Sequence, residues 1–275
     1  MIQDYLFFTG INILLAWSVY VVLLTGNLSF AQGAFMAIGC YAAGIMTTRY
    51  GVPLAVAVPA AMLLSSAAAV LVGFPALRVR GIYLILVTVG VTFCVRIALE
   101  NVAYTGGVEG LKGMSGTRLW HLGAAIAAVG LLLFLLSRSP LQRILDAVRE
   151  DDRVAASLGV NLTYVKLLAF GAGAAIAGLA GALYGHYLIF VRPDNFDILV
   201  SIFVVLYVIL GGVNNMWGPL LGATVMTLLP EFIRALQDWR PTMFGVAIVV
   251  MLLLRPEGLL KFRQPSARWS GHAGR

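Results

Sequence analysis

Charge is what this sequence has least of. Asp, Glu, Lys and Arg make up 11% of its 275 residues against 60% hydrophobic residues, a balance that excludes a soluble domain of this length. Only two cysteines occur, Cys40 and Cys94, both inside apolar runs, so neither a disulfide framework nor a metal site is indicated and both read as space-filling residues. No G-x-x-x-x-G-K-[ST] phosphate loop occurs, and Gly107–Gly113 resembles one only superficially, so the chain has no means of its own to hydrolyse ATP. The three histidines, His121, His186 and His272, lie far apart near span ends or in the tail, and no convergent set of His, Asp, Glu, Ser or Cys suggests an intramembrane enzyme. The short alternating segments of an outer-membrane barrel are also missing, which leaves helices as the way to satisfy the backbone in lipid.

What the chain does have is a succession of apolar runs near the ~20 residues that a helix needs to cross a bilayer. They fall at 5–25, 29–48, 52–74, 81–100, 120–137, 166–189, 197–211, 216–233 and 241–255, and predict an all-α polytopic transmembrane bundle of nine spans, within a range of 8 to 10. The stretch Met1–Thr25 lacks a basic n-region and carries Asp4, so it reads as a first span and not as a cleaved signal. No Gly-, Pro- or Ser-rich linker divides the chain, so residues 1–262 form one membrane domain and residues 263–275 a basic cytoplasmic tail.

The net charge of +7 is scattered over short loops and the tail, which argues for topology and against a nucleic-acid partner. With the 138–165 loop in the cytoplasm, alternation places twelve basic residues inside, from Arg78 and Arg80 through Arg138, Arg143, Arg149, Arg153 and Lys166 to the tail. Six fall outside: Arg49, Lys112, Arg118, Arg192, Arg234 and Arg240. The positive-inside rule supports that orientation, and an odd span count then puts the N-terminus outside.

Four segments stand out locally. The 138–165 loop is long and carries both charge signs in a chain that otherwise avoids charge. Ile144, Val148, Ala155 and Leu158 share one face at helical spacing, and Gly159 is a natural helix stop. Either a soluble partner or the membrane surface would satisfy such a helix. In Asn27–Gly33, Ser29 followed by Gln32 makes a capping-box pattern; the helix start it marks would serve as a cap or meet a substrate carboxylate. Asn27, Ser29 and Gln32 are therefore candidates for the substrate path. So are Gly211, Gly212 and Asn214, in the segment Gly211–Pro219, which reads equally as a tight turn or as a broken helix lining a path. Gly173, Ala177, Gly181 and Gly185 recur every four residues and predict close helix packing. Arg96 and Glu100, four apart near one span end, read as a snorkelling pair.

The run Ala147–Asn161, followed by Lys166–Phe170 and Ala177–Tyr184, closely resembles the permeases of branched-chain amino-acid ABC importers. Leu28–Phe35, Arg80–Tyr83 with Thr105–Gly107, and Gly211–Gly212 with Trp217–Pro219 match the same family in the same order, with the M-type subunit nearer than its H-type partner. The resemblance runs from about Asn27 to Leu260. It implies a bacterial inner-membrane, multi-pass permease subunit that is not an enzyme. Such a subunit pairs with a homologous permease as a heterodimer and binds two cytoplasmic ABC ATPases, which carry the ATP and Mg. It receives a branched-chain or related small amino acid from a periplasmic binding protein. The 138–165 loop would then be the coupling helix, with Glu150, Asp151, Ala155 and Gly159 at the ATPase contact. Where many importer permeases have Glu-Ala-Ala before the loop glycine, this chain has Arg153-Val154-Ala155 before Gly159, so the spacing survives and the acid does not. Related importers carry urea, short amides or aromatic compounds, which remain alternatives for the ligand. An ion-coupled secondary transporter would need buried acids in the spans, and only Arg96 and Glu100 stand near one.

Overall fold

Helices form where the apolar runs are. The computed structural model describes residues 2–232 apart from Arg80, together with Gly245. The expected span at 241–255 apart from Gly245, the tail at 263–275, His272 and the basic residues past position 232 lie outside the described residues. Ten α-helices follow in order among the described residues: α1 (Ile2–Leu23), α2 (Gln32–Tyr50), α3 (Leu54–Ala76), α4 (Ile82–Asn101), α5 (Leu119–Arg138), α6 (Pro140–Glu150), α7 (Asp152–Ser157), α8 (Leu162–Leu188), α9 (Ile198–Gly211) and α10 (Trp217–Phe232). Two two-residue strands, β1 (Leu111–Lys112) and β2 (Phe190–Val191), pair antiparallel with Leu111 opposite Val191.

By length and composition six segments suit a membrane crossing: those of α1, α3, α4, α5 and α8, and Pro193–Gly211, which contains α9. Helix α2, expected as a span, falls short of that apolarity for a physical reason. It packs between α3 and α8 and is buried along much of its length, so its surface meets protein and need not match lipid. Helix α10 is the shorter apolar segment of the set.

Close packing holds the centre together. A Cβ on Gly181 would collide with the Met36 carbonyl of α2, one on Gly39 with the backbone of Gly178, and one on Gly173 would lie 2.7 Å from the Ser18 carbonyl of α1. The four-residue row of small side chains on α8 is thus a packing face, which suits helix association in lipid, where no hydrophobic force draws helices together. Helices α4 and α5 are peripheral and turn Leu86, Phe93, Leu131 and Leu132 outward. Cys40 fills the core as expected, but Cys94 is exposed on the outer side of α4.

The two ends of the bundle differ. At one, Gly26, α6, α7 and the α9–α10 turn converge. At the other, Tyr187 hydrogen-bonds Asp4, the Tyr50 and Tyr104 hydroxyls meet at 3.0 Å, and Arg49 lies over the Tyr104 ring. Here the loop after α4 is pinned by Met114, fully buried against Gly44 and Gly185, beside the β1–β2 pair. His186, expected near a span end, is buried within α8, where its ring nitrogens meet Thr47 Oγ1 and the Ala182 carbonyl at 2.8 and 2.7 Å.

Candidate functional site

The 138–165 loop folds as two helices, not as one continuous amphipathic helix. The chain breaks at Asp151, whose carboxylate accepts from the Arg153 and Val154 amides at 2.7 and 3.2 Å and so caps α7. The break resets the helical phase. Leu145, Val148 and Ala155 face the spans and are buried, whereas Ile144 and Leu158, expected on that face, are exposed. Of the residues expected at an ATPase contact, Glu150 and Gly159 are exposed, Asp151 is a cap, and Ala155 is turned away against the spans at 1% exposure. Gly159 ends the turn at φ +85°, a left-handed conformation costing other residues roughly 1–2 kcal/mol. Asn161 then caps α8, accepting from the Tyr164 amide at 3.1 Å, so α8 starts four residues before the expected Lys166.

The loop is tied to three parts of the bundle. The backbone of Arg149 packs against Gly26, between α1 and α2, where an added Cβ would lie 3.5 Å from the Arg149 carbonyl. Its guanidinium reaches the Val213 carbonyl at 3.4 Å and Asn214 Oδ1 at 3.3 Å in the α9–α10 turn. Lys166 of α8 pairs with Asp152 of α7 at 2.6 Å. Gly26, Arg149, Asp152 and Lys166 border a polar cavity of about 570 Å³ that Thr25, Asn27, Gly81 and Arg153 also line.

Ser29 and Gln32 lie deeper. The expected capping box does not form. Helix α2 begins at Gln32 with Ala31 as its N-cap, and Ser29 Oγ instead accepts from the Ala31 amide at 3.2 Å. Residues 27–31 are non-helical, although Ser29 and Ala31 are buried at 1% and 0% exposure. Backbone buried inside an apolar bundle needs partners, and distant side chains supply them. Thr88 and Thr92, one turn apart on α4, clasp the Phe30 peptide. Its amide donates to Thr88 Oγ1 at 3.1 Å, and Thr92 Oγ1 donates to its carbonyl at 2.9 Å. The Gly33 amide donates to Ser201 Oγ of α9 at 2.9 Å. Gln32 Oε1 accepts from Ser18 Oγ at 3.2 Å, while its buried Nε2 has no partner among the described residues. Nothing in the local sequence advertised Thr88, Thr92 or Ser201 as part of this break.

Gly211 and Gly212 serve packing. A Cβ on Gly211 would strike the Gly218 carbonyl, one on Gly218 the Gly212 carbonyl and one on Gly222 the Tyr207 carbonyl, so α9 and α10 fold back on each other through glycines. The tight-turn reading of this segment holds, with Trp17 Nε1 donating to the Met216 carbonyl at 2.9 Å to close it. At the opposite end Arg96 does more than snorkel. It meets Glu100 at 2.9 Å and crosses to Asp194 and Asp197 at 2.5 and 3.2 Å, tying α4 to the start of α9. Among the described residues, no group of three or more His, Cys, Asp or Glu is placed to hold a metal ion.

The chain has close relatives by sequence. Residues 1–255 match the family described as branched-chain amino acid transport system / permease component. The high-affinity branched-chain amino acid transport system permease protein LivM of Salmonella typhimurium is 34% identical over 94% of this chain and 70% of its own length. LivM of Escherichia coli is 33% identical over 97% and 72%. LivH of Escherichia coli, named as a permease protein of the same kind of system, is 26% identical over 49% of this chain and 44% of its own length. No solved structure matches the chain. A multi-pass helical bundle with this sequence belongs to the branched-chain amino acid transport permease family.

Proposed function

We infer that this chain is the M-type translocation subunit of an ABC importer that carries branched-chain amino acids across the bacterial inner membrane. It works as a heterodimer with a homologous permease. Two cytoplasmic ATPases supply ATP and Mg, and a periplasmic protein delivers the ligand. The observation carrying this reading is the way α6 and α7 are tied in. Arg149 touches both the α1–α2 segment and the α9–α10 turn, and Lys166 ties α7 to α8, so a push on the loop reaches three spans at once. The outer side of the loop, with Arg143, Ile144, Glu150, Val154 and Leu158 exposed, offers charged and apolar groups to an ATPase surface. Transmission requires that the inner face be packed and the outer face free, and that is how the residues divide. The orientation follows the basic residues, with this end in the cytoplasm. The buried non-helical segment between α1 and α2 is the candidate for the part of the path that rearranges, with Gln32 Nε2 as the group to meet a carboxylate.

The test is uptake by the assembled complex in proteoliposomes with its binding protein, using leucine, isoleucine and valine beside urea, short amides and aromatic acids. ATP-dependent uptake of the aliphatic amino acids is expected. Transport by this chain alone without ATP would refute the reading, and uptake of urea or amides in place of amino acids would refute the substrate.

A further inference from the structure

A second feature lies on the outside of the bundle, between α3 and α8. There an open groove of about 430 Å³ is lined by apolar side chains, among them Val70, Leu167 and Leu168. Its floor exists because side chains are missing. Gly171 sits there with Ala172, and a Cβ on Gly171 would lie 3.1 Å from Ser66 Oγ and 3.4 Å from Val70 Cγ2. Below Val70 at four-residue intervals come Phe74 and Arg78, and the Arg78 guanidinium lies 4.8 Å over the exposed Phe74 ring. Tyr164, in the first turn of α8, lines the same end of the groove with 62% of its surface exposed. Lys166 is neutralised by Asp152, whereas Arg78 forms no ion pair among the described residues. A hydrocarbon slot therefore leads toward an uncompensated cation and a phenol, at the end of the bundle to which the basic residues assign the cytoplasm.

We propose that this groove binds one anionic phospholipid of the inner leaflet, with an acyl chain along Val70, Leu167 and Ala172 and the phosphate between Arg78 and the Tyr164 hydroxyl. A helix is some 10–12 Å across with its side chains, too wide for a slot of this volume, while a single acyl chain is not. Apolar contact cannot select one lipid over another, because the surrounding bilayer offers the same contact. Selection comes from the headgroup. One basic residue near an anionic lipid surface supplies about 1 kcal/mol, which sets the expected preference for anionic over zwitterionic lipid at about fivefold.

The experiment uses the assembled permease complex in nanodiscs of phosphatidylethanolamine and phosphatidylglycerol, with retained lipid counted by native mass spectrometry. Wild type should retain phosphatidylglycerol about fivefold above its share of the bilayer. Arg78→Gln should abolish the preference and Arg78→Lys should restore it. Ala172→Leu, at an exposed position, should fill the groove and reduce the retained lipid of either kind. Equal retention of the two lipids by wild type would overturn the proposal. So would unchanged retention in Arg78→Gln and Ala172→Leu, or a disulfide formed under copper-phenanthroline oxidation between Leu168→Cys and a cysteine introduced in the second permease, which would show that protein covers the groove.

Discussion

Removing the two hydroxyls that hold the Phe30 peptide gives the sharpest test of how this bundle tolerates buried non-helical backbone. Thr88→Val and Thr92→Val keep the shape of the side chain, so no cavity opens, and each deletes one partner of a buried backbone group. The other bonds these hydroxyls make, to the Ile85 and Thr88 carbonyls, are to groups inside α4 and cost little to lose. Two magnitudes compete. If the threonines were ordinary glue between helices in a membrane, each would contribute about 0.6 kcal/mol. If they complete a backbone that has no other partner, each valine strands a buried donor or acceptor at a cost of about 1–3 kcal/mol. Burial of Thr88 and Thr92 at 0% and 2% exposure keeps water from substituting, so the second figure applies. The double variant should then lose roughly 2–6 kcal/mol if the two sites act independently. Steric-trap unfolding in bicelles measures this directly, and Thr88→Ser alone should cost little because the hydroxyl is kept. Single-variant losses at or below about 0.6 kcal/mol would refute the reasoning, since the Phe30 peptide would not depend on α4.

Gly181→Leu should fail to assemble a stable bundle, because its Cβ already collides with the Met36 carbonyl; a thermal midpoint in detergent equal to wild type would contradict the packing described. Arg149→Ala should leave basal ATP hydrolysis by the complex intact while uptake falls at least tenfold, and paired ATPase and uptake assays in proteoliposomes separate the two. Gly159→Pro should uncouple in the same way, since φ +85° lies outside what proline can adopt. Ile189→Gly should stabilise the protein by about 0.5–1 kcal/mol, because Ile189 closes α8 at φ +66° and its side chain is mostly exposed; a loss of stability would show that the isoleucine packs against something that outweighs the strain.

The spans were legible because the hydrophobic runs are long and a helix in lipid leaves few alternatives. Their ends were less so. Lys166 looked like a boundary residue, but it is only 13% exposed in its ion pair with Asp152, and the true start of α8 is the Asn161 cap. The break before α2 was read as a cap because Ser29 and Gln32 have the right spacing. What overrode that pattern is tertiary: the partner of the Phe30 amide is 58 residues away and that of the Gly33 amide 168. Spacing rules see four residues at a time, so bonds of that reach are invisible to them.

The 138–165 loop departs from its sequence pattern in a more instructive way. Treating 144–158 as one helix put Ile144 and Leu158 on the inner face, and a single capped break at Asp151 was enough to send both outward. The signal is present, since Asp151 stands three residues before the short apolar run Val154-Ala155-Ala156 as a helix N-cap does. That correction changes the mechanism proposed for the loop. A straight helix would present one continuous face to an ATPase and lever the bundle as a rod. Two short helices joined at Asp151 divide the load instead: α6 reaches the α1–α2 segment and the α9–α10 turn through Arg149, and α7 reaches α8 through the Asp152–Lys166 pair. The departure at Arg153, where the Glu-Ala-Ala pattern of many importer permeases has its acid, falls on the exposed side of α7. On the proposed coupling role, Arg153 would meet a carboxylate on the ATPase surface. Arg153→Glu should lower the affinity of the permease pair for its ATPases, and a charge-reversing substitution in the ATPase groove should recover it. Tight assembly of Arg153→Glu with the unaltered ATPase would mean that the residue faces solvent in the complex.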